Sequence, residues 1–110
     1  MAKEFTFMQD DRSIDYTATA DIVVGQVIPL GKICGIALTN IANGATGAVL
    51  LEGIGTCPSA TGVNWGIGDE LFWDDTANKI TNVSTSNTHI GYAMNVKATA
   101  DTTATVLLNY

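Results

Sequence analysis

The sequence predicts an all-β fold, arranged as a small barrel-like or sandwich-like domain. Apolar residues recur with a period of two along most of the chain, which is typical of strands and not of helices. Turn-forming residues interrupt these runs about every ten residues, as in β-sandwiches and barrels. The best helical candidate is one short turn that begins at Pro58 and ends at Gly62.

Alternating runs predict the individual strands. Apolar side chains occupy every second position in the segments 14–18, 34–38 and 106–110. The run Ala48-Val49-Leu50-Leu51 is apolar at every position, which predicts a strand covered on both faces. Its second cover lies either inside the domain or across a subunit contact.

A β-hairpin is the clearest local prediction. Alternating residues from Glu70 to Asp74 meet a polar turn, and a second short run starts at Lys79. Two alternating runs joined by turn residues are typical of a hairpin. The same turn contains the pair Asp74-Asp75, and Asp10-Asp11 is a second such pair. Carboxylates in turns bond their own backbone, so we favour solvated turns over acid-base chemistry or a Ca²⁺ site.

The first thirteen residues differ from the rest, so we divide the chain into an N-terminal arm, 1–13, and a β domain, 14–110. A polar stretch, 9–13, separates the apolar end of the arm from the domain. The alternating segment Phe5-Thr6-Phe7 suits addition to a neighbouring sheet edge. The alternative is a strand packed on its own subunit. The arm residues that we expect to bind a partner are Phe5, Phe7, Met8, Asp10, Asp11 and Arg12.

Composition limits the function. A chain of 110 residues forms one domain with a modest core. Oligomerisation would add to the apolar surface that such a domain buries. The net charge of -6 repels phosphate backbones and anionic lipids, and we therefore expect neither nucleic acid nor membrane as partner. The longest apolar run, 22–30, is too short for a membrane helix. No secretory signal is visible, so we expect the protein to act where it is made or assembled.

The two cysteines, Cys34 and Cys57, are predicted to be buried free thiols. Both lie in apolar strand-like segments of a chain without an export signal, although a disulfide is conceivable. The cysteines and the single histidine, His89, follow no metal-ligand spacing, and we expect no metal and no cofactor.

Two further motifs were weighed as binding sites. The stretch Gly25 to Ile33 resembles a phosphate loop but departs from it in two places. Five residues separate its glycines where the motif has four, and Ile33 follows Lys32 where the motif needs Ser or Thr. We interpret this stretch as a turn between two strands. Trp65 and Trp73 are able to stack on a sugar, but such residues more often fill a small β core or an interface.

Several weak motifs together carry a resemblance to a known family. They are, in order, the run from Ile41 to Gly53, the hairpin region 66–81, the segment Ile90-Gly91-Tyr92-Ala93 and the closing run 102–109. This order resembles the capsid cement, or decoration, proteins of tailed bacteriophages, a family whose members have often carried a recombinase label. The resemblance covers residues 14 to 109.

The resemblance implies a compact, tulip-like β domain that works as a non-enzymatic virion protein. Such a protein binds the outside of an assembled head, contacts the major capsid protein and forms a homotrimer, after assembly in the host cytoplasm. We expect core or interface roles for Leu50, Leu51, Trp65 and Trp73. The alternative function is a carbohydrate-binding or cell-binding module on a virion, which would use Trp65 or Trp73.

Overall fold

A computed structural model describes residues 13–109 of the chain. This part contains nine β-strands in two antiparallel sheets and no helix. The all-β, sandwich-like prediction is therefore confirmed. The strands are β1 (Ser13–Thr17), β2 (Val27–Leu30), β3 (Ile33–Ala37), β4 (Thr46–Leu50), β5 (Gly53–Pro58), β6 (Glu70–Asp74), β7 (Lys79–Thr81), β8 (Thr88–Ala93) and β9 (Thr103–Leu108).

The first sheet has four strands in the order β1-β4-β3-β2. Strands β2 and β3 form a hairpin in which Leu30 pairs with Ile33 across a two-residue turn. The first turn residue, Gly31, has φ +72°, a value that glycine adopts without steric cost. The phosphate-loop-like stretch is thus a strand, a turn and the start of a second strand, as predicted.

The second sheet has five strands in the order β5-β9-β8-β6-β7. The predicted hairpin is confirmed, because β6 pairs with β7 and Asp74 lies opposite Lys79. Ser59, just after β5, forms a parallel bridge to Ile80 of β7. The sheet therefore curls so that its two outermost strands, β5 and β7, approach each other at this bridge.

Two apolar clusters cover the two faces of the first sheet. The larger cluster lies between the sheets and contains Val27 and Cys34 from the first sheet together with residues of β6 to β9. In the smaller cluster, the opposite face packs against the connecting segments around Ile22 and Ile41. This arrangement explains the fully apolar run 48–51, since Val49 joins the smaller cluster and alternate side chains of a strand point to opposite faces.

The short helical turn predicted after Pro58 is wrong. Pro58 is the last residue of β5, and the N–H groups that follow bond to distant parts of the chain. Ser59 N–H donates to the carbonyl of Thr102, and Gly62 N–H donates to that of Thr99. These long-range bonds satisfy the backbone donors that a helical turn would leave exposed, so tertiary context overrides the local proline signal.

Candidate functional site

The predicted arm residues lie outside the described part of the chain. Phe5, Phe7, Met8, Asp10, Asp11 and Arg12 all precede Ser13, where β1 begins. Ser13 pairs with Leu50, the last residue of β4. The described part of the chain therefore begins beside the junction of β4 and β5.

The two predicted leucines lie at this same junction and are both half-buried. Leu50 lines a hollow between the sheets. The carbonyl of Leu51 accepts a hydrogen bond of 2.7 Å from the side-chain nitrogen of Asn109. Leu50 thus contributes an apolar wall, and Leu51 contributes a backbone contact that ties the junction to the end of β9.

Both tryptophans lie in the core and not on the surface. Trp65 is 5% exposed and Trp73 is 4% exposed. Trp73 Nε1 donates a hydrogen bond of 3.1 Å to an Asp75 carboxylate oxygen, which orients the ring. Since a sugar must stack on an open aromatic face, neither ring provides the surface that the carbohydrate-binding alternative requires.

An apolar groove runs along β5. Its deeper end is a hollow of about 220 Å³, and its shallower end of about 440 Å³ opens beside Trp73. Gly25, Thr56 and Cys57 line both ends, so the two form one continuous depression. Three exposed aliphatic residues, Val23, Val24 and Ile54, lie at its walls and rim. The groove is therefore suited to binding an extended apolar segment and not a charged ligand.

The candidate chemical groups form ordinary structural contacts. The Asp74 carboxylate accepts hydrogen bonds from the N–H groups of Thr76 and Ala77 at 3.0 and 3.1 Å. This is the self-bonded turn that the sequence predicts for Asp74-Asp75. Nδ1 of His89 lies 2.9 Å from a Glu70 carboxylate oxygen. Within residues 13–109, no group of three or more His, Cys, Asp or Glu side chains is placed to hold a metal ion.

Both cysteines are free thiols in the structure, as predicted, but only Cys34 is buried. The prediction is wrong for the burial of Cys57, which is half-buried because it lines the groove along β5. Burial raises the pKa of the Cys34 thiol from 9.0 to about 12, and the negative charges of Asp75 and Cys57 act in the same direction. Burial also raises the pKa of Cys57. Because the thiolate is the reactive form, Cys34 is not suited to act as a nucleophile at neutral pH.

Two polar residues that the sequence analysis did not single out hold the domain together. Lys97 is buried, and its Nζ donates hydrogen bonds to the carbonyls of Val63 at 2.8 Å and Ala98 at 2.9 Å. Asn109 accepts a hydrogen bond of 3.1 Å from the N–H of Cys34 and donates one of 2.6 Å to its carbonyl. With its bond to Leu51, this side chain joins the two sheets.

No helix in the described residues is long and apolar enough to cross a membrane. In the comparison with known families, the model of the family described as phage cement protein matches residues 8–108. The comparisons with curated proteins and with solved structures give no match. The matched range includes all nine strands of the described part and residues 8–12, which precede β1.

Proposed function

The chain belongs to the phage cement protein family, and we propose on this basis that it binds the outer surface of the phage head and strengthens the shell. It has a structural role at the phage capsid and acts by binding, not by catalysis. In the proposed mechanism, it links adjacent subunits of the major capsid protein after synthesis in the host cytoplasm. The observation that carries the proposal is the family match over residues 8–108.

The chemistry of the domain surface supports a role in extended protein contacts. Only 15% of residues are charged, so a large interface forms with little desolvation of charge. Several aliphatic side chains are exposed, among them Ile67 and Val96, at 67% and 70%. The net charge of -6 disfavours attachment to packaged nucleic acid, which agrees with a position outside the shell.

The arm is the part that we propose to contact the shell or a neighbouring subunit. Phe5, Phe7 and Met8 are costly to expose in a free tail, and the polar residues Asp10, Asp11 and Arg12 offer rim contacts. An extended arm gains main-chain hydrogen bonds when it pairs with a strand edge. The domain division proposed from the sequence, an arm at 1–13 and a β domain at 14–110, is kept in this proposal.

A homotrimer is the proposed assembly. A domain of this size has little spare core, and three linked copies gain avidity on one shell. The half-buried Leu50 and Leu51 and the exposed aliphatic residues are candidates for the contact. Light scattering coupled to size exclusion should give three times the chain mass. A monomer in solution that also sits singly on the particle contradicts the trimer.

The decisive experiment adds purified protein to expanded heads that lack it. Cosedimentation should show binding, and decorated heads should release their contents at a higher temperature than bare heads. The double variant Phe5→Ser with Phe7→Ser should bind at least about tenfold more weakly, because the arm loses the two aromatic rings that anchor it. Thr6→Ser is the matched control in the same segment. Unchanged affinity of the double variant places the attachment surface elsewhere on the domain.

A further inference from the structure

Strands β4 and β5 form one run of chain that bends at residues 51–52 and passes from one sheet to the other. On one side of this run, β3 pairs with the end of β4, and β9 pairs with β5 from Gly53 onward. The Asn109 side chain fills the space between them, bonded both to Cys34 of β3 and to Leu51. Strands β3 and β9 therefore lie end to end on the same side.

The other side of the run is only half covered. Strand β1 pairs with β4 and stops where Ser13 lies opposite Leu50. Among the described residues, β9 is the only strand that pairs with β5 between Gly53 and Pro58. The second edge of β5 meets β7 only beyond Pro58, at the bridge between Ser59 and Ile80, so it is open along residues 53–58. An open edge offers a row of backbone donors and acceptors to an added strand.

A hollow lies directly inside this open edge. Gly53 and Gly55 pair with the buried residues Leu108 and Val106, so their missing side chains would point into the space between the sheets. A Cβ atom added to Gly55 meets no atom within 4 Å. The hollow measures about 220 Å³, whereas an apolar cavity of about 150 Å³ already holds a benzene ring. It therefore has room for an aromatic side chain.

The segment that precedes Ser13 is long enough to reach this edge. β1 runs antiparallel to β4, so a straight continuation of β1 before Ser13 would run antiparallel to the chain that leads from Leu50 into β5. Counting the pairs onward from Ser13 and Leu50 brings the segment 5–10 beside the six residues of β5. The polar stretch 9–12 falls near the bend, and the apolar end of the arm falls beside the hollow. We propose that residues 5–10 extend β1 as an edge strand along β5 of the same chain.

The register follows from which side chains gain most by burial. The uninterrupted count places Phe7 opposite Thr56, whose side chain lies on the other face of the strand from the missing side chain of Gly55. A one-residue bulge at the bend brings Phe7 opposite Gly55 and Phe5 opposite Cys57, and a slip of one residue moves every side chain to the other face. Burying two phenyl rings releases more free energy than burying the residues between them. Phe5 and Phe7 therefore face the hollow.

This arrangement goes beyond the proposed function and does not depend on it. An edge strand has two edges, and only the inner one is used by β5. The outer edge stays available for a strand of the capsid shell. The arm is thus held in an extended form before it meets the shell, which lowers the entropy cost of binding.

The native Cys57 provides the test, carried out on the purified full chain without heads. Phe5→Cys should form an intrachain disulfide with Cys57 under mild oxidation, identified by mass spectrometry of the digested protein, while Phe7 remains to dock the arm. Thr6→Cys is the matched control, because its thiol points away from Cys57, and it should react about tenfold more slowly. Adding Cys57→Ser to Phe5→Cys should abolish the product.

A second variant tests the hollow itself. Gly55→Leu places an aliphatic side chain in the open space and should slow the disulfide of Phe5→Cys about tenfold, because the position of one phenyl ring is occupied. An interchain disulfide assigns the arm to a neighbouring copy and overturns the proposal. So does faster reaction of Thr6→Cys, or no disulfide in any variant. Binding to heads plays no part in these measurements, so their failure leaves the proposed function standing.

Discussion

The side-chain nitrogen of Lys97 lies 5.2 Å from the centre of the Trp65 ring, although Lys97 is only 1% exposed. Two backbone carbonyls accept its hydrogen bonds, and the aromatic face covers a further side. A buried charge is tolerated only when it is satisfied in this way. The lysine stem meanwhile fills core volume, so the residue packs like an aliphatic side chain and bonds like a polar one.

Replacing this lysine should destabilise the domain. Lys97→Met keeps the length of the side chain but removes the donors, so the carbonyls of Val63 and Ala98 lose their partner. We expect the free energy of unfolding in urea to fall by about 1–3 kcal/mol. Lys79→Met is the matched control at the exposed first residue of β7 and should change the free energy of unfolding by less than about 0.5 kcal/mol. Equal effects of the two changes contradict the structural role of Lys97.

Removing the Asn109 side chain should loosen the contact between the sheets. Asn109→Gly retains the ability to adopt φ +61° but loses all three side-chain hydrogen bonds. Because these bonds are partly buried, we expect a loss of about 2–3 kcal/mol in the free energy of unfolding. Asn78→Gly has a similar backbone, with φ +57°, on an exposed turn. If the free energy of unfolding falls as much for Asn78→Gly as for Asn109→Gly, the backbone conformation is responsible and not the loss of the Asn109 side-chain hydrogen bonds.

Gly91 should tolerate no side chain. A Cβ atom at this position lies 1.8 Å from the carbonyl oxygen of Leu107, so strands β8 and β9 must separate to admit it. We expect Gly91→Ala to lower the free energy of unfolding by more than about 3 kcal/mol. Gly55→Ala is the control, since its Cβ meets open space, and it should be neutral or slightly stabilising. Circular dichroism melting curves distinguish the two outcomes.

The Cys34 thiol should be unreactive until the domain unfolds. Burial raises the pKa of Cys34 to about 12, so a thiol reagent at pH 8 should modify this residue slowly in the native protein. In denaturant without reductant, the same reagent should count both thiols of the chain. A count of zero under those conditions shows a disulfide and contradicts the prediction of free cysteines.

The same pKa shift gives stability a defined pH dependence. Between pH 9 and about 12 the unfolded chain loses the Cys34 proton while the folded chain keeps it. The free energy of unfolding should therefore fall as pH rises through this window, by at most about 1.4 kcal/mol per pH unit for one proton. Below pH 9 this group contributes no pH dependence. Cys34→Ala should flatten the dependence of the free energy of unfolding on pH above pH 9. If the slope is unchanged in this variant, another titrating group causes the pH dependence.

The predictions that succeeded rest on local patterns. The hairpin joining β6 and β7 is encoded within one short segment, and the period of two located the strands around Cys34 and Val106. Alternation also explained why the strand at Val49 is apolar on both faces, once each face of its sheet was seen to be covered. Local propensity and burial agree in these segments, so sequence was enough.

The contacts that escaped prediction join residues far apart in the chain. Asn109 lies 75 residues from Cys34 and 58 from Leu51, and Lys97 lies 34 from Val63. A buried lysine and a solvated one look alike in sequence, because the difference lies in distant carbonyls. The prediction of a helical turn after Pro58 failed for the same reason, because long-range backbone hydrogen bonds form there instead of the local turn. The arm contacts stay predictions, since they fall on residues before Ser13.

The position of β9 between β5 and β8 has a consequence for folding during synthesis on the ribosome. It is the last of the nine strands to be translated, yet it is an inner strand of its sheet. The strands that flank it must wait with unsatisfied edges until it emerges, whereas all four strands of the other sheet precede them and are free to assemble during synthesis. The nascent chain therefore completes its fold when β9 inserts between β5 and β8. Until then the unpaired edges of these two strands are the surface that most needs a chaperone.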